Sequence, residues 1–136
     1  MTAGGGHTRA VVKRYLAALN HHDADAAAEC VSEDFFNEHT SAAGTSVRGR
    51  SAYRERLPQF LARFRDLHYD IEEMIVDADR AAVPYTMTCT VDDHPVQIRG
   101  MFRFRVADNL IAHRVDYWDG SEFDRQLRAE TTARQP

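Results

Sequence analysis

The stretch VQIRGMFRFRV, residues 96–106, decides the fold. Ile98, Gly100, Phe102 and Phe104 alternate with Arg99, Met101, Arg103 and Arg105, a period of two that buries one face of a strand and wets the other. Working outward, further strands are predicted over 67–77, 81–91 and 109–118. Short Asp-rich turns at 77–79, 92–93 and 107–109 join them into an antiparallel meander.

Ahead of the meander the period is helical. Thr8 is placed to cap a first helix whose apolar face holds Val11, Val12, Tyr15, Leu16 and Leu19, and which ends near residues 20–23. A short second helix over 25–31 starts from Asp23 and stops at residues 32–34. A strand over 35–39, a polar loop over 40–46 and a third helix over 49–64 follow, with Tyr53, Leu57, Phe60, Leu61 and Phe64 on the apolar side of that helix. Pro58 removes one backbone hydrogen bond and predicts a kink or break there. A last helix over 120–128, with Asp119 as its N-cap, closes a single domain over 8–128, flanked by flexible tails at 1–7 and 129–136. Helices first and a curled sheet afterwards make an α+β domain in which the helices cover one sheet face.

With 136 residues, 43% hydrophobic and 28% charged, the chain makes one domain whose core needs neither disulfide nor metal to fold. A net charge of -4 gives no footprint for nucleic acid. No apolar run approaches the roughly 20 residues that cross a bilayer, so no membrane partner is expected and the protein reads as soluble and cytoplasmic. Cys30 and Cys89 lie far apart without a CxxC pair, which suits a reducing compartment and leaves a single bridge open. Seven histidines lack HxH, HxxxH or HExxH spacing, so no metal site is expected. Gly-rich phosphate loops and a GxSxG elbow are missing as well, which disfavours nucleotide enzymes and serine hydrolases. Arg99, Arg103 and Arg105 read as a solvated or dimer-facing stripe.

Five segments in order carry a family resemblance: Tyr15–Asn20 with Asp23, Ser32–Asp34, Gly49–Tyr53, Gly100–Phe104 and Asp116–Asp119. Together they resemble the NTF2-like superfamily and its SnoaL-like members over about residues 8–128. The resemblance implies a cone of N-terminal helices packed on a curved antiparallel (mixed) sheet, a pocket enclosed between them, and a homodimer. It does not select a reaction, because that superfamily spans ketosteroid isomerases, polyketide cyclases, epoxide hydrolases, dehydratases and non-catalytic modules. By the resemblance, Tyr15 takes the place of the isomerases' oxyanion-binding phenol, and His39 that of their catalytic carboxylate. Gly100 stands where their protonated acid would be. Asp116 aligns with an acid/base aspartate of the epoxide hydrolases and polyketide cyclases. The hydrolases' Arg-x-Asp pair falls on Tyr85 and Met87, and their water-positioning Tyr and Asn on Asn37 and His39.

Period-two alternation independently puts Arg114, Asp116 and Trp118 on one face of the last strand. An aspartate in an apolar cavity is pushed up by desolvation and pulled down by a neighbouring cation, which suits proton transfer beside a carbonyl. Each candidate also has a plain reading: Asp116 as a structural carboxylate, His39 as a half-exposed strand end, Tyr15 as a core phenol. The expected catalytic set is Asp116, His39 and Tyr15, with Trp118, Arg114, Asn37, Tyr85, Met87, Phe60 and Phe102 around a small hydrophobic substrate. The expected function is a cofactor-independent acid/base enzyme of cyclase, isomerase or dehydratase type, acting on an apolar carbonyl compound. A non-catalytic ligand-binding or dimerisation module of the same fold is the alternative.

Overall fold

Two hairpins turn on residue pairs held at positive φ, Asp92 and Asp93 at 51° and 65°, and Asp108 and Asn109 at 51° and 65°. Two consecutive left-handed residues make the type I′ turn whose twist matches paired strands, and Asp and Asn tolerate it better than branched residues do. The computed structural model describes residues 4–42 and 44–134. Its elements run α1 (Gly4–Asn20), α2 (Ala24–Glu29), β1 (Val31–His39), β2 (Val47–Arg48), α3 (Arg50–Arg63), β3 (Arg65–Ile71), β4 (Ile75–Asp77), β5 (Arg80–Val91), β6 (His94–Ala107), β7 (Leu110–Tyr117) and α4 (Gly120–Arg134). This is the α+β architecture expected, with helices on one face of a curved, unclosed sheet.

The sheet runs β2-β1-β7-β6-β5-β3, with β4 also paired to β5. Every pairing is antiparallel except β1 with β7, which is parallel and brings His39 opposite Asp116. Tyr15, Leu16 and Leu19 of α1 and Tyr53 and Leu57 of α3 pack with Phe35, Tyr69, Val83, Phe102 and Phe104 of the sheet in one core.

Several expectations are corrected. The helix α1 begins at Gly4, ahead of Thr8, so residues 4–7 are helical rather than part of a tail. Thr8 does not cap it; its buried hydroxyl donates to the Ala78 carbonyl at 2.7 Å and ties α1 to the turn before β5. Residues 32–34 belong to β1, because α2 closes at Cys30 and the fully buried Val31 already pairs with Ile111. The single strand expected over 67–77 is two, β3 and β4. They pair with opposite halves of β5, and the break lies opposite Val83 and Pro84, where the proline has no N–H to offer a ladder. Pro58 does not break α3. Both it and Arg54, whose carbonyl it leaves unpaired, are exposed, so water can take the lost bond. Finally α4 continues past 128 to Arg134.

The caps expected for α2 and α4 are present. Asp23 accepts from the Ala26 N–H at α2, and Asp119 accepts from the Glu122 N–H at α4. Cys30 and Cys89 are both buried and unbridged. Among the described residues no helix is long and apolar enough to cross a membrane.

Candidate functional site

Charged and polar side chains are scarce in the core, yet Asn37, Arg114 and Asp116 are all more than nine-tenths buried. Parallel pairing of β1 with β7 gathers them: Asn37 lies opposite Arg114 and His39 opposite Asp116. The Arg114 Nε donates to Asn37 Oδ1 at 2.8 Å, and its guanidinium lies 4.9 Å from the centre of the Phe102 ring. Tyr85 donates its hydroxyl to Asp116 Oδ1 at 2.6 Å. The other oxygen, Oδ2, is 3.7 Å from His39 Nδ1, too long for a hydrogen bond.

His39 is positioned from its other side. The Trp118 indole N–H donates to Nδ1 at 3.0 Å, which places the proton of the neutral ring on Nε2. Burial first, and the Arg114 charge second, push the imidazole down to about 3, so it is neutral at physiological pH. Burial raises the Asp116 carboxyl above the usual aspartate range, against the opposing pull of Arg114 and the Tyr85 hydrogen bond. Burial also raises Tyr15, Tyr53, Tyr69 and Tyr85, which keeps these phenols protonated as donors.

A cavity of about 460 Å³ opens onto this cluster between α3, β1 and β7. Asn37, His39, Arg114 and Trp118 form its polar floor, and Leu19, Leu57, Phe60, Phe64 and Phe123 its apolar walls. A broader depression of about 640 Å³ at the start of α4 is open to solvent, and none of the buried polar residues lines it. The cavity floored by the buried polar residues is therefore the candidate site.

Of the residues expected there, Asn37, His39, Arg114, Trp118 and Phe60 line the cavity. Asp116 does not line the cavity and sits behind the wall, its Oδ2 3.7 Å from Nδ1 of the cavity-lining His39. Tyr15 does not touch the cavity: it is fully buried and hydrogen-bonded to Tyr53, which does line it. Tyr85 and Phe102 likewise stand behind the wall and act on it through Asp116 and Arg114. Met87 is not part of the site, because the ladder carries it opposite Ile98, away from Phe102 and Asp116.

Local sequence pattern puts Tyr53 on the inward face of α3 but does not mark it as a cavity residue, which it is. Nor does that pattern show why Gly100 is glycine. A Cβ there would stand 2.5 Å from the Tyr85 hydroxyl, so the missing side chain makes room for the donor to Asp116. Gly100→Ala is expected to lower stability by about 1–3 kcal/mol in urea melts and to detach Tyr85 from Asp116. Tyr85→Phe should relieve only part of that loss, because the ring Cζ at 2.7 Å and the Tyr117 carbonyl at 2.8 Å still obstruct the new methyl. An alanine variant as stable as the wild type would contradict this packing.

The mixed, unclosed sheet and the helices packed on it make an NTF2-like fold. The chain belongs to the SnoaL-like domain family, whose model matches residues 12–114. It is similar in structure to an LEH-like epoxide hydrolase of M. tuberculosis, at 20% identity and a TM-score of 0.81 over 95% of each chain. It is also similar to a protein of Catenulispora acidiphila with a ketosteroid isomerase-like fold, solved in complex with trimethylamine, at 17% identity and a TM-score of 0.78 over 85% of this chain and 90% of that one. An NTF2-like protein of Burkholderia xenovorans matches at 18% identity and a TM-score of 0.77, over 90% and 96% of the two chains. At these identities the likeness is one of fold. No curated protein matches the sequence.

Proposed function

We propose that this protein is a cofactor-independent enzyme that moves a proton on an apolar, carbonyl-bearing substrate held in the cavity. The observation that carries this reading is a buried carboxyl of raised proton affinity, Asp116, beside a buried guanidinium that faces an open apolar cavity. Ionised Asp116 would take a proton from the carbon next to the substrate carbonyl through Oδ2. The C–H electron pair then moves onto the carbonyl oxygen, whose charge meets the Arg114 guanidinium in a site of low dielectric. Return of the proton to another carbon gives isomerisation, and attack of the carbanion on a second carbonyl of the same molecule gives cyclisation.

In this scheme the Nε2–H of His39 orients the substrate, and Tyr53 supplies the phenol with Tyr15 supporting it from behind. Trp118 locks His39 and closes the floor. A ligand-binding module is the second reading, favoured by the seat of Asp116 behind the cavity wall rather than on it. A homodimer, as family membership implies, is part of the same proposal, and sedimentation velocity of the intact chain reads it.

Solvent exchange separates enzyme from module. In deuterium oxide the protein is expected to speed deuterium incorporation next to the carbonyl of cyclic and aromatic ketones, followed by NMR. Ligands that quench the single tryptophan, Trp118, without any exchange would instead establish the binding module.

A further inference from the structure

The charge lining the cavity is out of keeping with the chain. The protein is net -4, yet the charged residues lining the cavity are Arg56, Arg63, Arg114 and Asp124; even with the Asp116 carboxylate behind the wall, that is three cations to two anions. His39 adds nothing, since burial keeps it neutral. Arg114 is buried with no carboxylate within ion-pair distance, and Asn37 Oδ1 is its one hydrogen-bond partner among the described residues. Arg56 and Arg63 are seven residues apart on α3, two helical turns, and so share a face with Phe60 of the cavity wall. Neither makes an ion pair among the described residues; Arg63 rests over the Phe64 ring at 5.3 Å.

Exposed arginines usually find a carboxylate or face bulk water. Here two of them edge an apolar cavity whose floor is a third, buried guanidinium. Low-dielectric walls focus such a field and favour an anion at the mouth. A guanidinium also pairs carboxylates through two parallel N–H bonds.

We propose that the substrate is an organic acid, with an apolar body in the cavity and a carboxylate held at the mouth by Arg56 and Arg63. This deepens the proton-transfer reading above and rests on it for the reaction alone, since the anion preference is a property of binding. The carboxylate would hold the molecule by the end remote from the reacting carbon, leaving its carbonyl oxygen to Arg114.

The test compares 4-oxo-4-phenylbutanoate with its methyl ester, the same body with and without the charge, by titration calorimetry on the intact protein. The acid is expected to bind about tenfold more tightly than the ester at low ionic strength, with the gap narrowing at high salt. A double variant, Arg56→Gln with Arg63→Gln, is expected to erase the preference while leaving ester binding unchanged; both positions are exposed, so the fold is kept. Equal affinity for acid and ester, no binding of either below millimolar concentration, or a preference that survives in the double variant would each overturn the proposal. Asp116→Asn is expected to keep the preference. A protein that selects the acid but catalyses no exchange would refute the proton-transfer reading and leave this one standing.

Discussion

Asp116→Asn is expected to lower the exchange rate by about 10²- to 10⁴-fold, the usual share of a general base, with little change in ligand affinity. The amide keeps the shape and still accepts the Tyr85 hydroxyl, so the lost quantity is the proton site itself. The same substitution carries a stability signature of definite sign. Burial raises the Asp116 pKa in the folded protein, so ionising it costs stability. That cost is absent below the ordinary aspartate value of about 3.9, grows as pH rises, and levels off above the raised value. Asparagine never pays it. Urea melts should therefore show the variant gaining on the wild type as pH rises from 4 to 8, and a constant difference across that range would mean Asp116 is not perturbed.

The second large effect belongs to the whole polar floor. Replacing Arg114 by Met together with Asp116 by Asn is expected to stabilise the protein by about 1–4 kcal/mol at pH 8, because the folded state then no longer desolvates two charges. Asn37 loses its partner, but it lines the cavity, where water can reach it. Arg114→Met alone should fall short of the double variant at pH 8, since the remaining carboxylate has lost the cation that pulls its pKa down. The two should converge below about pH 4, where the aspartate is neutral in both states. A double variant less stable than the wild type at pH 8 would show that this cluster holds the fold together.

Local pattern made much of this architecture legible. Alternation in 96–106 named the buried side of β6, and Ile98, Phe102 and Phe104 are indeed buried. Alternation over 109–118 predicts Arg114, Asp116 and Trp118 on one face; Arg114 in β7 and Trp118 just past it line the cavity, whereas Asp116 stands behind its wall. What local pattern does not encode is register. That Gly100 faces Tyr85 follows from the pairing of β5 with β6, and only this adjacency explains both the glycine and the hydrogen bond to Asp116. The split of β3 from β4 has the same origin, since Pro84 acts on the strand beside it rather than on its own. Tyr53 was hidden for another reason: on an amphipathic helix a phenol that lines a cavity and one that fills a core have the same spacing.

Pairing of β1 with β7 has a consequence for how the protein is made. Asn37 meets Arg114 across 77 residues of chain and His39 meets Trp118 across 79. During synthesis β1 leaves the ribosome long before its neighbour exists, and the cavity floor can form only when nearly the whole domain has emerged. Contacts of such separation carry a larger loop-closure cost than the local hairpins β5-β6 and β6-β7. A small molecule bound to this floor would therefore recognise only chains in which β1 and β7 have paired, and its presence during expression would favour that folded state over partly folded ones.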